Sequence, residues 1–312
     1  MNLQTELAPR HKSGLLLRNP VMTAAGTFGY GIEYAKIAEA QRLGAVITRG
    51  TTLHSHSSNV PPRTIETASG LLNAIGYQNP GVHSVVKKYA PTWATWQTPV
   101  IVNIAGETIE ELVAIAEQLE GVEGIAGIEI SVSNTDMRAG GAVFSASEEA
   151  IADVMVALRR ATTLPLIVKL SPDGNDVRSI ALAAASSGAN AISLINTIAA
   201  MRIDTRTHRP FLPYGTGGLS GPAIKPIALR MVYEVARELR AIHPHVPIIG
   251  IGGIANTEDA LEFLMAGASA IQVGTITFVN PRAAIEIVEG LEVFMRQEGI
   301  EDVREIVGGA QS

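Results

Sequence analysis

Cysteine is absent from the 312 residues, which excludes disulfides, thiolate zinc or iron–sulfur ligation, and any thiol catalyst within this chain. A surplus of positive charge is also missing. The 24 Lys and Arg against 30 Asp and Glu leave a formal charge of −6 and a pI near 5.7. Without a basic footprint, nucleic acid is not an expected partner. No run reaches the ~18 apolar residues of a membrane helix, and the opening MNLQTELAPRHKSG lacks the apolar core of a signal peptide. A soluble, cytoplasmic protein with no membrane partner is the expectation. No short-period repeat, Gly/Ser linker or charge block interrupts the chain, so residues 1–312 are expected to form one domain. With 46% hydrophobic residues the chain can bury a large core.

What is present is most informative between Pro247 and Thr275, PIIGIGGIANTEDALEFLMAGASAIQVGT. Pro247–Ile251 and Ala270–Val273 read as buried parallel strands. Gly252-Gly253 follows the first and Gly274-Thr275 the second. Between them, Asn256 to Gly267 reads as a helix with Asn256 as N-cap and Gly267 as its stop. In an eight-stranded α/β barrel, the loops after the last two strands and a nearby helix N-terminus commonly bind phosphate. Bare glycine backbone lets N–H groups approach an anion closely; on their own, the same glycines also suit tight βα turns.

The rest of the chain supplies six more strands. Leu15–Arg18 suggests an N-terminal ribbon under the barrel, and Pro20–Ala24 the first barrel strand, followed by Ala25-Gly26. Tyr34–Leu43 reads as a helix and Ala45–Thr48 as strand two. Strands three to six read as Pro99–Ile104, Gly127–Ser133, Pro165–Leu170 and Ala191–Ile195. Helices are expected at Glu107–Leu119, Glu148–Ala161, Val177–Ser187, Pro222–Ile242 and Arg282–Gln297. Long connections follow strands two (Thr51 to Pro80), four (Asn134 to Ser145) and six (Thr197 to Leu219), and loops of that length usually carry function. Alternating strands and helices argue for parallel strands with crossover helices, and eight units for a closed (β/α)8 TIM barrel. A doubly wound open sheet is the runner-up, but the first βα turn lacks the dinucleotide glycine spacing.

Barrel chemistry sits where strands end. Arg49 closes strand two and Asn103 lies in strand three. Ser131, Ser133 and Asn134 lie in or just past strand four, Lys169 in strand five, and Asn196-Thr197 at the end of strand six. A lysine inside LIVKL is costly to bury unless it meets an anion or strong acceptors; a salt bridge across the barrel is the alternative. Asn103 alone suits a satisfied core amide equally well. One cation and several amides beside a terminal phosphate site suggest a planar polar cofactor with a phosphate tail, a description FMN fits. A positive charge near its pyrimidine end would stabilise the anionic reduced ring.

Ordered motifs then carry a family resemblance. NPVMTAAGTFG (19–29), RGTT (49–52), LLNAIGYQNPG (71–81), PVIVNIAG (99–106), IVKLSP (167–172), SLINT (193–197) and GTGGLSGPAIKPIALRMVYEV (215–235) resemble successive motifs of the dihydroorotate dehydrogenases. The GGLSGPAIKP segment is most similar to the class 1B, NAD-linked catalytic subunits. The resemblance implies an FMN-containing (β/α)8 barrel, with FMN held by Ala25, Gly50, Asn103, Lys169, Ile195, Gly221, Gly252, Gly253, Gly274 and Thr275. It maps the pyrimidine substrate site onto Asn73, Ala74, Ile75, Gly76, Tyr77, Asn196 and Thr197, with Arg49 and Ser131 beside them. It also implies a homodimer and a partner subunit carrying FAD and an iron–sulfur cluster. With no cysteine here, such a cluster must lie in another chain.

Strand four departs from the family pattern. Where Asn-x-Ser-Cys-Pro-Asn is usual, this chain reads Ser131-Val132-Ser133-Asn134-Thr135-Asp136. The catalytic cysteine falls on Asn134, both pyrimidine-gripping asparagines become Ser131 and Asp136, and the usual lysine after strand two becomes Arg49. A carboxamide has no useful pKa for accepting a proton. Ser133 is a stand-in if the loop register shifts by one. Asp136 is the better acceptor, but it brings a carboxylate near that of the substrate; Arg49 would offset this by pairing with Asp136 or forking onto the substrate. An ordinary dihydroorotate dehydrogenase and an FMN-binding paralogue with another substrate both stand as readings. Two competing classes are a non-redox phosphate-binding barrel and an electron relay that binds FMN without substrate chemistry. His54 and His56 lack a third metal ligand and read as loop residues, and His243 and His245 as structural residues at the barrel bottom. Tyr77 either lines the pocket or packs beside it, and Thr135–Phe144 is a candidate lid.

Overall fold

The computed structural model describes residues 1–133, 144, 146–173 and 176–311. Eight parallel strands form its centre: β1 (Val21–Thr23), β2 (Val46–Ile47), β3 (Val100–Ile104), β4 (Gly127–Ser131), β5 (Leu166–Leu170), β6 (Ala191–Leu194), β7 (Ile248–Ile251) and β8 (Ala270–Val273). Neighbours in sequence pair in register from β2 to β8, and β8 pairs with β1. The ring closes between β1 and β2, where Gly44 N donates to Val21 O at 2.8 Å and Thr23 N to Ala45 O at 3.3 Å. Closure needs a bare backbone at Gly44, since a Cβ there would lie 2.1 Å from the Asn19 carbonyl oxygen.

The strands are rich in Val and Ile and are buried on both faces, as expected for parallel strands enclosed by helices. Outward residues such as Val102, Ile128 and Val168 join the helices in one large apolar layer. Inward residues Met22, Ile47, Ile101, Ile167, Ala191, Ile249 and Ala270 form a second core inside the ring. Leu7, Leu15 and Leu17 plug this inner core from below. They come from an antiparallel ribbon, Thr5–Glu6 against Leu16–Leu17, whose turn is tied by the Glu6 carboxylate accepting from Ala8 N and Leu15 N.

The outer helices are α1 (Val82–Trp93), α2 (Ile109–Leu119), α3 (Glu148–Ala161), α4 (Val177–Ser186), α5 (Lys225–Ile242), α6 (Thr257–Met265) and α7 (Ala283–Glu298). Four start where a short polar side chain accepts a first-turn N–H: Thr108, Ser147, Asp176 and Asn256. Among the described residues no helix is long and apolar enough to cross a membrane.

Three features differ from the sequence-based expectation. The helix expected over Tyr34–Leu43 is a series of turns ending in a short 3-10 helix, Ala40–Arg42. Glu39 interrupts it at φ 46°, held there by Arg42 and Arg282. α1, which the sequence pattern does not single out, follows the first long connection. Within the long connections lie Thr64–Thr67, Gly70–Asn73, Ile198–Ala200 and Gly217–Ser220, which join as a four-stranded antiparallel sheet. These strands are too short and too rich in Gly and Thr to alternate visibly in sequence.

Tyr30, in the loop after β1, packs on α1, stacked on Tyr89 at 4.3 Å between ring centroids. Burial, which outweighs the hydrogen bond with Thr51, pushes its phenol from 10.0 up to about 12. Because the folded value is the higher one, this contribution to stability is intact below pH 10 and is lost as pH rises through about 12. In an alkaline titration followed by tyrosinate absorbance, one of the six tyrosines should ionise only near pH 12, together with loss of near-UV circular dichroism.

Candidate active site

A cavity of about 420 Å³ opens at the C-terminal ends of the strands, between the barrel and the antiparallel sheet. Its walls draw on β3, β4, β5 and β7, the loops after β1, β2, β6, β7 and β8, and the sheet residues Thr64, Leu71, Asn73 and Ser220. All ten positions expected to hold FMN, Ala25 through Thr275, line it. So do Arg49, Asn73, Ile75, Tyr77, Ser131, Asn196 and Thr197 from the expected substrate site. Ala74 does not; it packs into a small apolar cluster with Leu72 and Leu212 under the sheet. Gly76 does not either. Its φ of +77° and the Asn59 carboxamide, 2.4 Å from where a Cβ would sit, make it a turn residue that presents Tyr77. Asn134 and Asp136, with most of the candidate lid, fall outside the described residues.

The electrostatics are one-signed. Arg49, Arg63 and Lys169 line the cavity, while none of the described lining residues is acidic. Lys169 is only 5% exposed, and among the described residues neither it nor the Arg49 guanidinium has an ion-pair partner. Strand register sets Lys169 between Ser131 on β4 and Ser193 on β6. Two such cations, in a lining whose described residues carry no carboxylate, suit anionic ligands.

One end is built from glycine. Gly221, Gly252 and Gly253 have φ of +93°, +137° and +71°. A Cβ on Gly253 would lie 2.8 Å from the Gly221 carbonyl oxygen, and one on Gly252 2.6 Å from the Ala228 methyl. Among the described residues no acceptor takes the N–H of Gly253, Gly274 or Thr275. The loop after β7 is braced from behind: Asp259 accepts from Ala255 N at 2.8 Å and from Lys225 Nζ at 2.6 Å. The hydrogen bonds from Asp259 and then Glu262 hold the Lys225 ammonium above its usual range. Free backbone donors without side chains in front of them match a phosphate tail, so the residues fit FMN at this end.

The opposite end is amide-rich. Asn73 Nδ2 donates to Gly218 O at 3.2 Å, and among the described residues no donor takes its Oδ1. Asn196 accepts from Thr197 N at 2.9 Å and donates through Nδ2 to Ser133 Oγ at 2.6 Å. Ser133 therefore stands behind Asn196, buried and off the cavity wall. The Tyr77 ring lies over Gly50, where a Cβ would come within 2.8 Å of it. Its hydroxyl donates to Ser133 O at 3.2 Å. Tyr77 thus both lines the pocket and ties the first long connection to the end of β4.

Sequence reasoning missed Arg63, Gln78 and Ser220 among the lining residues. Arg63 comes from the PPRT stretch and donates to Gln78 Oε1 at 3.1 Å; nothing in its local sequence signals that the hairpin folds back over the barrel. Glu129 was also missed, although the reasoning that picked out Lys169 applies to a carboxylate inside GIEIS. It is fully buried and accepts from Asn103 Nδ2 (2.8 Å), Ser193 Oγ (3.0 Å) and Gln272 Nε2 (2.5 Å). The four loop and bottom histidines lie away from the cavity. Among the described residues no group of three or more His, Cys, Asp or Glu converges for a metal.

A (β/α)8 barrel with an anion-binding cleft at its C-terminal rim is the class that fold and site define. The comparisons narrow it. The family model for dihydroorotate dehydrogenase matches residues 10–295, and the chain belongs to that family. It is 48% identical over 296 residues to the dihydroorotate dehydrogenase B (NAD(+)) catalytic subunit of Geotalea uraniireducens, covering 95% of each chain. It is 46% identical over 308 residues to that of Thermoanaerobacter pseudethanolicus, covering 99% of this chain and 98% of the relative. A crystal structure of a DHODH from Eimeria tenella, in complex with ferulenol, superposes with a TM-score of 0.81 at 20% identity, over 99% of this chain and 88% of that one. That likeness supports the barrel fold.

Gly253→Ala should weaken FMN binding about 100-fold, because the added methyl meets the Gly221 carbonyl and the backbone angle is unfavourable. Gly299→Ala, at the open C-terminus of α7, should leave FMN affinity unchanged. Quenching of FMN fluorescence on titration into apoprotein measures both.

Proposed function

We propose that this chain is the FMN-bearing catalytic subunit of an NAD-linked dihydroorotate dehydrogenase, oxidising dihydroorotate to orotate. The observation that carries the reading is the cavity: two unpartnered cations beside amides at one end, and bare glycine backbone at the other. It occurs in a chain that shares nearly half its residues with subunits of that name. FMN, when bound, supplies the hydride acceptor.

The protein's own groups would bind and orient. Gly221, Gly252, Gly253, Gly274 and Thr275 hold the phosphate tail through backbone N–H groups. Lys169 supplies positive charge beside the ring. Arg49 forks onto the substrate carboxylate, a geometry its planar guanidinium suits better than a lysine would. The Oδ1 of Asn73 accepts a ring N–H, and Asn196 with Thr197 closes the amide-rich end. The hairpin that presents Tyr77 covers the site and excludes water. Electrons would leave to a partner subunit, which the relatives' designation as catalytic subunits supports; the family resemblance implies that the partner carries FAD and an iron–sulfur cluster, for which this chain has no cysteine. The family resemblance further supports a homodimer in the cytoplasm.

The β4 loop favours a second reading, an FMN-binding paralogue with a related substrate. By the family resemblance Asn134 falls in the cysteine position and has no basic lone pair to take the substrate proton, and Ser131, Asp136 and Arg49 fall on positions of the same substrate site. Anaerobic mixing with dihydroorotate should bleach the visible flavin absorbance in the first reading and leave it unchanged in the second. Asn134→Cys should raise the bleaching rate about 100-fold; no gain in that variant, with FMN still bound, would refute a missing base as the only change. Lys169→Ala should lower the rate by about 100-fold or more.

A further inference from the structure

We propose that Glu129 is a positioning residue that decides which face of the Asn103 carboxamide is shown to the bound ring; the inference rests on the FMN reading above. Glu129 lies on β4 directly across from Asn103 on β3 in the parallel register. It is 0% exposed, and three donors from three other strands converge on its two oxygens: Asn103 on Oε1, Ser193 and Gln272 on Oε2. No cation reaches it among the described residues. A carboxylate accepting on both oxygens has no donor to offer. Asn103 must therefore turn its NH2 toward Glu129, and its Oδ1 is forced the other way.

That other way is the cavity. Asn103 lines it, and Oδ1 lies 3.4 Å from the point where a Gly50 Cβ would sit, over another lining residue. The site therefore shows the ring an obligate acceptor at this position, which selects an N–H, such as the imide N–H of an isoalloxazine, and rejects a carbonyl. Asn103 alone has no preference between its two faces. Glu129 removes the choice.

The chemistry of a Glu129→Gln substitution follows from counting partners. A carboxamide at 129 keeps the Ser193 and Gln272 hydrogen bonds unchanged if its oxygen takes the Oε2 position. Its NH2 then faces Asn103, which must flip to accept, and an NH2 group now points into the cavity. The alternative orientation requires both Ser193 and Gln272 to rearrange instead. The first costs fewer changes, so the substitution at a buried position behind the wall inverts the polarity of the wall itself. Asn103→Asp in the same chain cures this, because an aspartate presents oxygen on both sides, accepting from the carboxamide introduced at position 129 and from the ring. On its own Asn103→Asp sets two acceptor-only groups against each other.

The test is FMN binding to apoprotein, by fluorescence quenching, for wild type, Glu129→Gln, Asn103→Asp and the double variant, with thermal melting of each. Each single variant should bind FMN about 10-fold or more weakly than wild type. The double variant should return to within about threefold of wild type, a rescue that a merely structural role for Glu129 does not produce. Glu129→Gln with wild-type affinity overturns the proposal. So does a double variant that fails to fold or binds no better than the singles. If Glu129→Gln alone fails to fold, a folded, FMN-binding double variant still supports it. Wild-type protein that takes up no FMN refutes the flavin reading beneath it, a result distinct from any of these.

Discussion

Ring closure is the constraint on which everything else depends. With the helices all on the outside, the inner face of the eight parallel strands is enclosed only if the first meets the second, and the contact is a few backbone hydrogen bonds past a glycine that tolerates no side chain. Once closed, every strand points its C-terminal end at the same rim. Inward side chains then fall into layers. The lower layers are apolar and are sealed by the N-terminal ribbon, so stability is concentrated where chemistry is not. Asn103, Glu129, Lys169, Ser193 and Gln272 occupy the interior toward the rim; Asn103 and Lys169 reach the cavity, where a ligand can repay their desolvation, and the other three are buried behind it.

That division explains how a single interior can hold opposite charges without pairing them directly. Glu129 is satisfied by neutral donors alone, while Lys169 on the neighbouring strand has no partner among the described residues and faces the cavity. The anion organises amides and the cation waits for a ligand. Had the two formed a salt bridge, the cavity would lose its positive charge and Asn103 its fixed orientation. The phosphate end works differently, through backbone alone. Three left-handed glycines and the Asp259 brace hold N–H groups open, and side chains contribute chiefly by staying out of the way.

The antiparallel sheet built from the two long connections adds the third wall. Its strands are short, and their pairing joins residues more than a hundred positions apart, as in Gly218 opposite Asn73. Through it Asn73, Arg63 and Tyr77 reach a site otherwise made by barrel strands. Tyr77 in turn hydrogen-bonds the main chain at Ser133, just past β4, and so ties the sheet to the barrel.

The amino-acid order by itself determined the barrel strands, most of the helices and the glycine rim, because buried parallel strands, capped helices and βα turns all leave patterns confined to short stretches of chain. It also marked Lys169, since a charge within an apolar strand is conspicuous at any distance from its partners. Only the tertiary structure decided the failure of the Tyr34–Leu43 helix, where Arg282, far along the chain, holds Glu39 out of helical geometry. The same is true of the sheet over the mouth, the exclusion of Ala74, Gly76 and Ser133 from the wall, and the role of Glu129. Each of these depends on contacts between segments tens to hundreds of residues apart, and no local pattern of hydrophobicity or turn chemistry encodes which distant group a side chain will meet.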